Sequence, residues 1–148
     1  MAAVVIADAS PLIALARING LQWLPALFGG VLVTEVLVPE VLVTEVVLAE
    51  VLTGRFPDSE APIAEASQTG WLQLATTLPS QPELPDLDGE AASIRLALAS
   101  GPRRRLLIDE RASRVVAREL GLKLADTAAV IGLARQQGLI PSARTLFA

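Results

Sequence analysis

Short unbroken apolar runs, Val4–Ala7 the first of them and the run ending at Ile108 another, alternate along this chain with longer helix-forming stretches. Strands that stay apolar on both sides are buried on both faces, as in a parallel sheet covered by helices. Composition agrees: 52% of the residues are hydrophobic and only 3% aromatic, so the interior must be built from Val, Leu, Ile and Ala. A length of 148 residues gives one domain with a real core and no room for a second of similar size. The expected fold class is α/β, a single domain over 1–148.

Glycine supplies the punctuation. Gly20, Gly54, Gly70, Gly101, Gly121 and Gly138 each follow a helix-compatible stretch, where a closing left-handed residue is expected. The pattern predicts a strand at 4–7, a helix over 11–18 opened by Pro11, and a short helix over 21–27. Further on it predicts helices at 45–53 and 59–69, a strand at 71–75 and a proline-bearing loop over 76–88. A helix at 89–100, a strand at 105–108, a helix at 110–120, a strand at 122–124 and a helix at 127–137 complete the series. Residues 141–148 read as the start of an element that is cut short. One internal duplication interrupts the rhythm: the blocks 31–40 and 41–50 match at seven positions. That is too short for a solenoid, so one copy is assigned to strand or loop and the other leads into the helix at 45–53.

The chain has no cysteine and no histidine. Disulfides, thiolate nucleophiles, imidazole bases and His-ligated metals are therefore excluded together. Any metal must be held by oxygen, which suits a hard cation such as Mg²⁺ or Mn²⁺. A formal net charge of −4 argues against nucleic-acid binding over the whole surface and leaves room for a local basic patch. The first fifteen residues lack the positively charged start of a secretory signal. The apolar stretch 31–52 is broken by Glu35, Glu40, Glu45 and Glu50, so a soluble cytoplasmic chain with no membrane span is expected.

Seven acids compete for a role. Asp8 directly follows an apolar strand, at the carboxyl edge where open parallel sheets bind ligands. It would otherwise cap the next helix, a task that Ser10 could take over. Glu50 lies in the apolar stretch 46–52 and shares a helical face with Val46 and Val47, which makes its charge costly unless it meets a cation. The plain alternative is a Glu at the solvent edge of a short helix. Glu45, like Glu40, sits at a helix or turn start, where acids are common, and Glu90 stands in the first turn of its helix, where the dipole alone accounts for it. Asp109 repeats the situation of Asp8 after its own strand, and Asp126 precedes Thr127 at the start of the last helix, a natural cap position. If the strands ending in Asp8 and Asp109 are adjacent and parallel, both acids arrive at one sheet edge. A divalent cation is the usual reason such a cluster persists.

Seven of the twelve basic residues gather near Asp109, and Arg111, Arg114 and Arg118 form one helical stripe. Arginines beside a metal–carboxylate cluster suit a phosphate backbone; the bland alternative is a solvated helix face.

These residues together resemble the PIN-domain nucleases, in particular the small VapC-like toxins of toxin-antitoxin pairs. The resemblance runs through Val-Ile-Ala-Asp8-Ala-Ser10-Pro-Leu-Ile and Val-Val-Leu-Ala-Glu50-Val-Leu-Thr-Gly54. It continues through Leu-Asp-Gly89-Glu90-Ala-Ala-Ser-Ile-Arg, Leu-Leu-Ile-Asp109-Glu110-Arg-Ala-Ser-Arg and Gly138-Leu-Ile, in order along nearly the whole chain. It implies a three-layer α/β/α sandwich with a mostly parallel sheet. It also implies an acidic quartet of Asp8, Glu50, Glu90 and Asp109 around Mg²⁺ or Mn²⁺, with Ser10 as a helper and Asp126 or Glu45 as further acids. The implied activity is endoribonucleolytic, with RNA, a cognate antitoxin and a second copy of the chain as partners. Relatives often continue past the point where this chain stops, so a C-terminal segment is expected to be lacking. A catalytically silent PIN-like module that binds RNA or protein is the competing expectation. A phosphoacceptor receiver domain ranks third, because Asp8 has no acidic neighbour and Lys123 is the only lysine.

Overall fold

The computed structural model describes residues 4–28, 30–33, 36–39, 41–75, 82–84, 90–99 and 104–140. Glu35, Glu40, Gly89, Gly101, Arg103, most of the 76–88 loop and the tail 141–148 lie outside these described residues.

β1 (Val4–Ala7) forms where the sequence predicts it and is followed by α1 (Ala9–Arg17) and α2 (Trp23–Phe28). β2 (Gly30–Val33) and β3 (Val36–Pro39) make a separate antiparallel pair. β4 (Val41–Val43), α3 (Glu45–Val51), α4 (Pro57–Thr69) and β5 (Leu72–Leu74) follow. The chain then runs through α5 (Glu90–Ala99), β6 (Arg104–Leu107), α6 (Arg111–Glu119), β7 (Leu124–Ala125) and α7 (Thr127–Gln136). The two copies of the duplicated segment thus take different structures. The first is spread over the two strands of the hairpin, while the second gives a strand of the main sheet and the start of α3.

The central sheet has the order β5-β4-β1-β6-β7, and every pairing in it is parallel. From β1 the chain builds outward on one side through β4 and β5, then returns to the other side of β1 through β6 and β7. The reversal falls between β1 and β6, and a crevice at such a switch point is where open α/β sheets bind ligands.

Strand alternation divides the core into two layers. Val5, Ala7, Val41, Val43 and Leu107 pack against α1, α3, α4 and α7, whereas Ile6, Leu106 and Ile108 pack against α5 and α6. The arrangement is the expected three-layer sandwich. Among the described residues no helix is long and apolar enough to cross a membrane.

Gly54, Gly70, Gly121 and Gly138 do hold positive φ, but Gly20 does not: the left-handed residue there is Asn19, at φ 56°. Gly20 is needed for space instead, since a Cβ on it would meet the Trp23 ring at 2.4 Å.

Candidate active site

Pro11 does not open α1; the helix begins two residues earlier, at Ala9, with Asp8 in the capping position. A capping side chain bonds the N–H of the second or third helical residue. Here the third residue is Pro11, which has no N–H, and Asp8 makes no side-chain cap bond. Ser10 does not serve as the cap either; it lies inside the first turn and is exposed. Pro11 removes one of the two usual cap donors, and the Asp8 carboxylate turns instead toward Ser93.

Asp8 is only 4% exposed and accepts a hydrogen bond from the Ser93 hydroxyl at 3.1 Å. Its pKa is pushed up from 3.8 to about 6. Burial is the largest cause and the negative charge of Glu90 the next; the Ser93 hydroxyl pulls it down, Glu50 adds to the rise, and the Ala9 N–H lowers it. The structure thus brings Glu90 and Glu50 within electrostatic reach of Asp8. Ser93 is wholly buried on α5, one turn beyond Glu90. Sequence reasoning did not single it out, although the one hydroxyl of that helix, three residues after Glu90, was the available signal.

Glu50 is not the buried carboxylate that its apolar neighbours implied. It is exposed, and Val46 one turn before it is 42% exposed, so the two share the outer face of α3 while Val47 and Val51 face the core. Water, rather than a buried partner, meets the charge of Glu50 there. Glu45 is exposed in the first turn of α3, whose cap is the Thr44 side chain accepting from the Val47 N–H.

Asp109 lies just past β6 at the same sheet edge as Asp8. The register pairs Ala7 with Leu107, so Asp8 stands level with Ile108 and Asp109 is one residue out of step. Because side chains alternate, Asp8 falls on the side of Ile6 and α5, and Asp109 on the side of Leu107 and α7. Adjacent parallel strands therefore deliver both acids to one edge but not to one side of it. Asp109 accepts from the Thr127 N–H at 2.7 Å and the Thr127 hydroxyl at 2.6 Å, one bond to each oxygen. It does not cap α6; Glu110 does, accepting from the N–H groups of Ala112 and Ser113 and from the Ser113 hydroxyl. Those bonds hold the Glu110 carboxyl below its ordinary range.

Asp126 caps α7 through the Ala129 N–H at 2.8 Å and pairs with Arg114 at 3.1 Å. The arginine stripe on α6 is therefore divided: Arg114 is drawn onto Asp126, while Arg111 and Arg118 are exposed.

The donors around Asp8 are carboxylate and hydroxyl oxygens, the chemistry a hard cation requires. Charge repulsion from Glu90 and Glu50, visible in the raised pKa of Asp8, is what a cation would relieve. Among the described residues, however, no three acidic side chains stand close enough together to hold an ion.

A family model described as "DUF3368: PIN domain" matches residues 4–148. A solved structure described as a domain of a functionally unknown protein from Methanocaldococcus jannaschii is similar in fold, with a TM-score of 0.55 at 17% identity; the alignment covers 84% of this chain and 91% of that one. No curated protein matches the chain.

Proposed function

Because this chain belongs to the PIN-domain family, whose members are generally nucleases, we propose that it is a metal-dependent endoribonuclease acting as the toxin of a toxin-antitoxin pair. The observation that carries this reading is the buried Asp8 carboxyl at the switch point, raised to about 6 with Glu90 and Glu50 beside it. Asp8 would hold Mg²⁺ or Mn²⁺ with the Glu90 and Glu50 side chains drawn in around the ion, and a bound dication would supply an activated water and charge neutralisation at the leaving oxygen. The protein's own part is to keep Asp8 aimed into the crevice, with the Ser93 hydroxyl fixing one oxygen. Exposed Arg111 and Arg118 would attract the phosphate backbone of RNA. A cognate antitoxin would silence the site, and the exposed Leu133 and Leu139 offer apolar surface for a second copy of the chain.

Purified protein incubated with RNA in Mn²⁺ should cleave it, with cleavage lost in EDTA and in Asp8→Asn. Equal cleavage by both proteins would reject the proposal. Growth arrest on induction, absent for Asp8→Asn, tests the toxin role separately.

One observation favours a second reading, a silent module that binds without cutting: Asp109 is engaged by Thr127, and no three described acids form a cage. Calorimetry with Mn²⁺ separates the two, since a silent module gives no heat that depends on Asp8.

A further inference from the structure

A cleft of about 360 Å³ lies away from the acids, between the end of α1 and the start of α4, lined by Arg17, Arg55, Phe56, Pro57, Asp58 and Ser59. Among the described residues neither the Arg17 nor the Arg55 guanidinium has a hydrogen bond or an ion pair, and Asp58 pairs with neither. Phe56 is 56% exposed, unusual for a ring in a chain with so few aromatics. Uncommitted guanidinium groups beside an uncovered ring are the two halves of a nucleotide's chemistry, one for phosphate and one for the base.

The segment that carries them is held in place. The Glu60 carboxylate accepts from the N–H groups of Gly54, Arg55 and Phe56 at 2.6, 3.1 and 2.7 Å, and from the Thr53 hydroxyl at 3.1 Å. Successive N–H groups folded around one anion form a nest, which fixes the backbone of Arg55 and Phe56 before any ligand arrives. These bonds hold the Glu60 carboxyl below its ordinary range, so its charge persists and is spent on the loop. Arg17 ends the helix that Asp8 opens, about 12 Å along its axis.

We propose that this cleft is a nucleotide subsite for single-stranded nucleic acid, in which Arg17 and Arg55 take a phosphate and Phe56 stacks a base. The assignment rests on the nuclease reading for its substrate class. Asp58 is the one opposing charge in the lining and weakens the site, so its removal should tighten binding.

The test is fluorescence anisotropy of a labelled single-stranded RNA in EDTA, where binding is read without cleavage. Phe56→Ala should weaken binding about tenfold, with Phe56→Leu equally weak because the ring is what stacks. Arg17→Ala with Arg55→Ala should weaken it and flatten the dependence of log affinity on log salt by about 1.4. Asp58→Asn should bind more tightly, a gain that misfolding cannot imitate. Wild-type affinity and slope in the arginine pair, or no RNA binding by the wild type in EDTA, would overturn the proposal. Loss of binding in these variants of a protein that never cleaves RNA would retain the subsite and reject the nuclease; normal binding by the variants of an active enzyme would do the reverse.

Discussion

Thr127 grips both oxygens of Asp109, one with its backbone N–H and the other with its hydroxyl. The β6–β7 register brings the two residues to the same level of the edge. Leu107 pairs with Ala125, so two residues further on Asp109 stands level with Thr127. The bond ties the end of β6 to the first turn of α7.

Thr127→Val keeps the N–H and removes the hydroxyl. Loss of one bond to a partly buried carboxylate should cost about 1 to 2 kcal/mol in urea unfolding. Asp109→Ala should cost more, because it leaves both the N–H and the hydroxyl without an acceptor. A Thr127→Val protein as stable as the wild type would show the hydroxyl contact to be idle.

Asp8 makes the metal-free fold sensitive to pH in an unusual direction. Its folded pKa, about 6, lies above the unfolded 3.8, so the folded state binds the proton more tightly. Stability from this group is intact below pH 3.8, falls as pH rises, and well above pH 6, where the folded carboxyl is fully charged, the loss levels off at roughly 3 kcal/mol. Asp8→Asn should therefore be more stable than the wild type above pH 6 in EDTA, with an advantage that shrinks on acidification. Parallel denaturation curves for the two proteins at every pH would contradict this.

Ser93→Ala removes the hydroxyl that favours the charged form of Asp8. The carboxyl should titrate at still higher pH, as read from the carbon-13 shift of labelled aspartate. If cleavage requires ionised Asp8, the alkaline shift should appear equally in the pH–rate profile.

Gly20→Ala should destabilise the fold by about 1 to 3 kcal/mol, because the new Cβ would lie against the buried Trp23 ring and force it aside. An accompanying Trp23→Leu should recover part of the loss, measured as a rise in melting temperature over the single variant.

The alternating architecture was legible in the sequence because buried parallel strands and glycine-closed helices leave periodic traces. The place of Asp8 was legible for the same reason: an acid directly after an apolar run arrives at the carboxyl edge of such a sheet, although, as Asp109 shows, the run does not settle on which side of it. What escaped was decided by neighbours distant in sequence. Glu50 looks buried from its own stretch of chain, yet only the packing of Val47 and Val51 against the core determines which face of α3 meets water. Ser93 reaches Asp8 across 85 positions, and no local pattern announces such a pairing. The duplicated Val-Leu-Val-Thr-Glu-Val segment makes the point most directly. Val-Leu-Val is strand in both copies, but one joins a two-stranded antiparallel sheet and the other the central sheet, and beyond it Val36 enters a strand where Val46 enters a helix.

The single-residue stagger between β1 and β6 makes the sheet edge an electrical divider. Asp8 answers to the charges of α3 and α5, while Asp109 is anchored across the backbone layer to α7. An extra residue after Leu107 would put the second carboxylate on the first one's side of the sheet, so the register of that segment, together with the identity of the two acids, sets how much negative charge the crevice must carry.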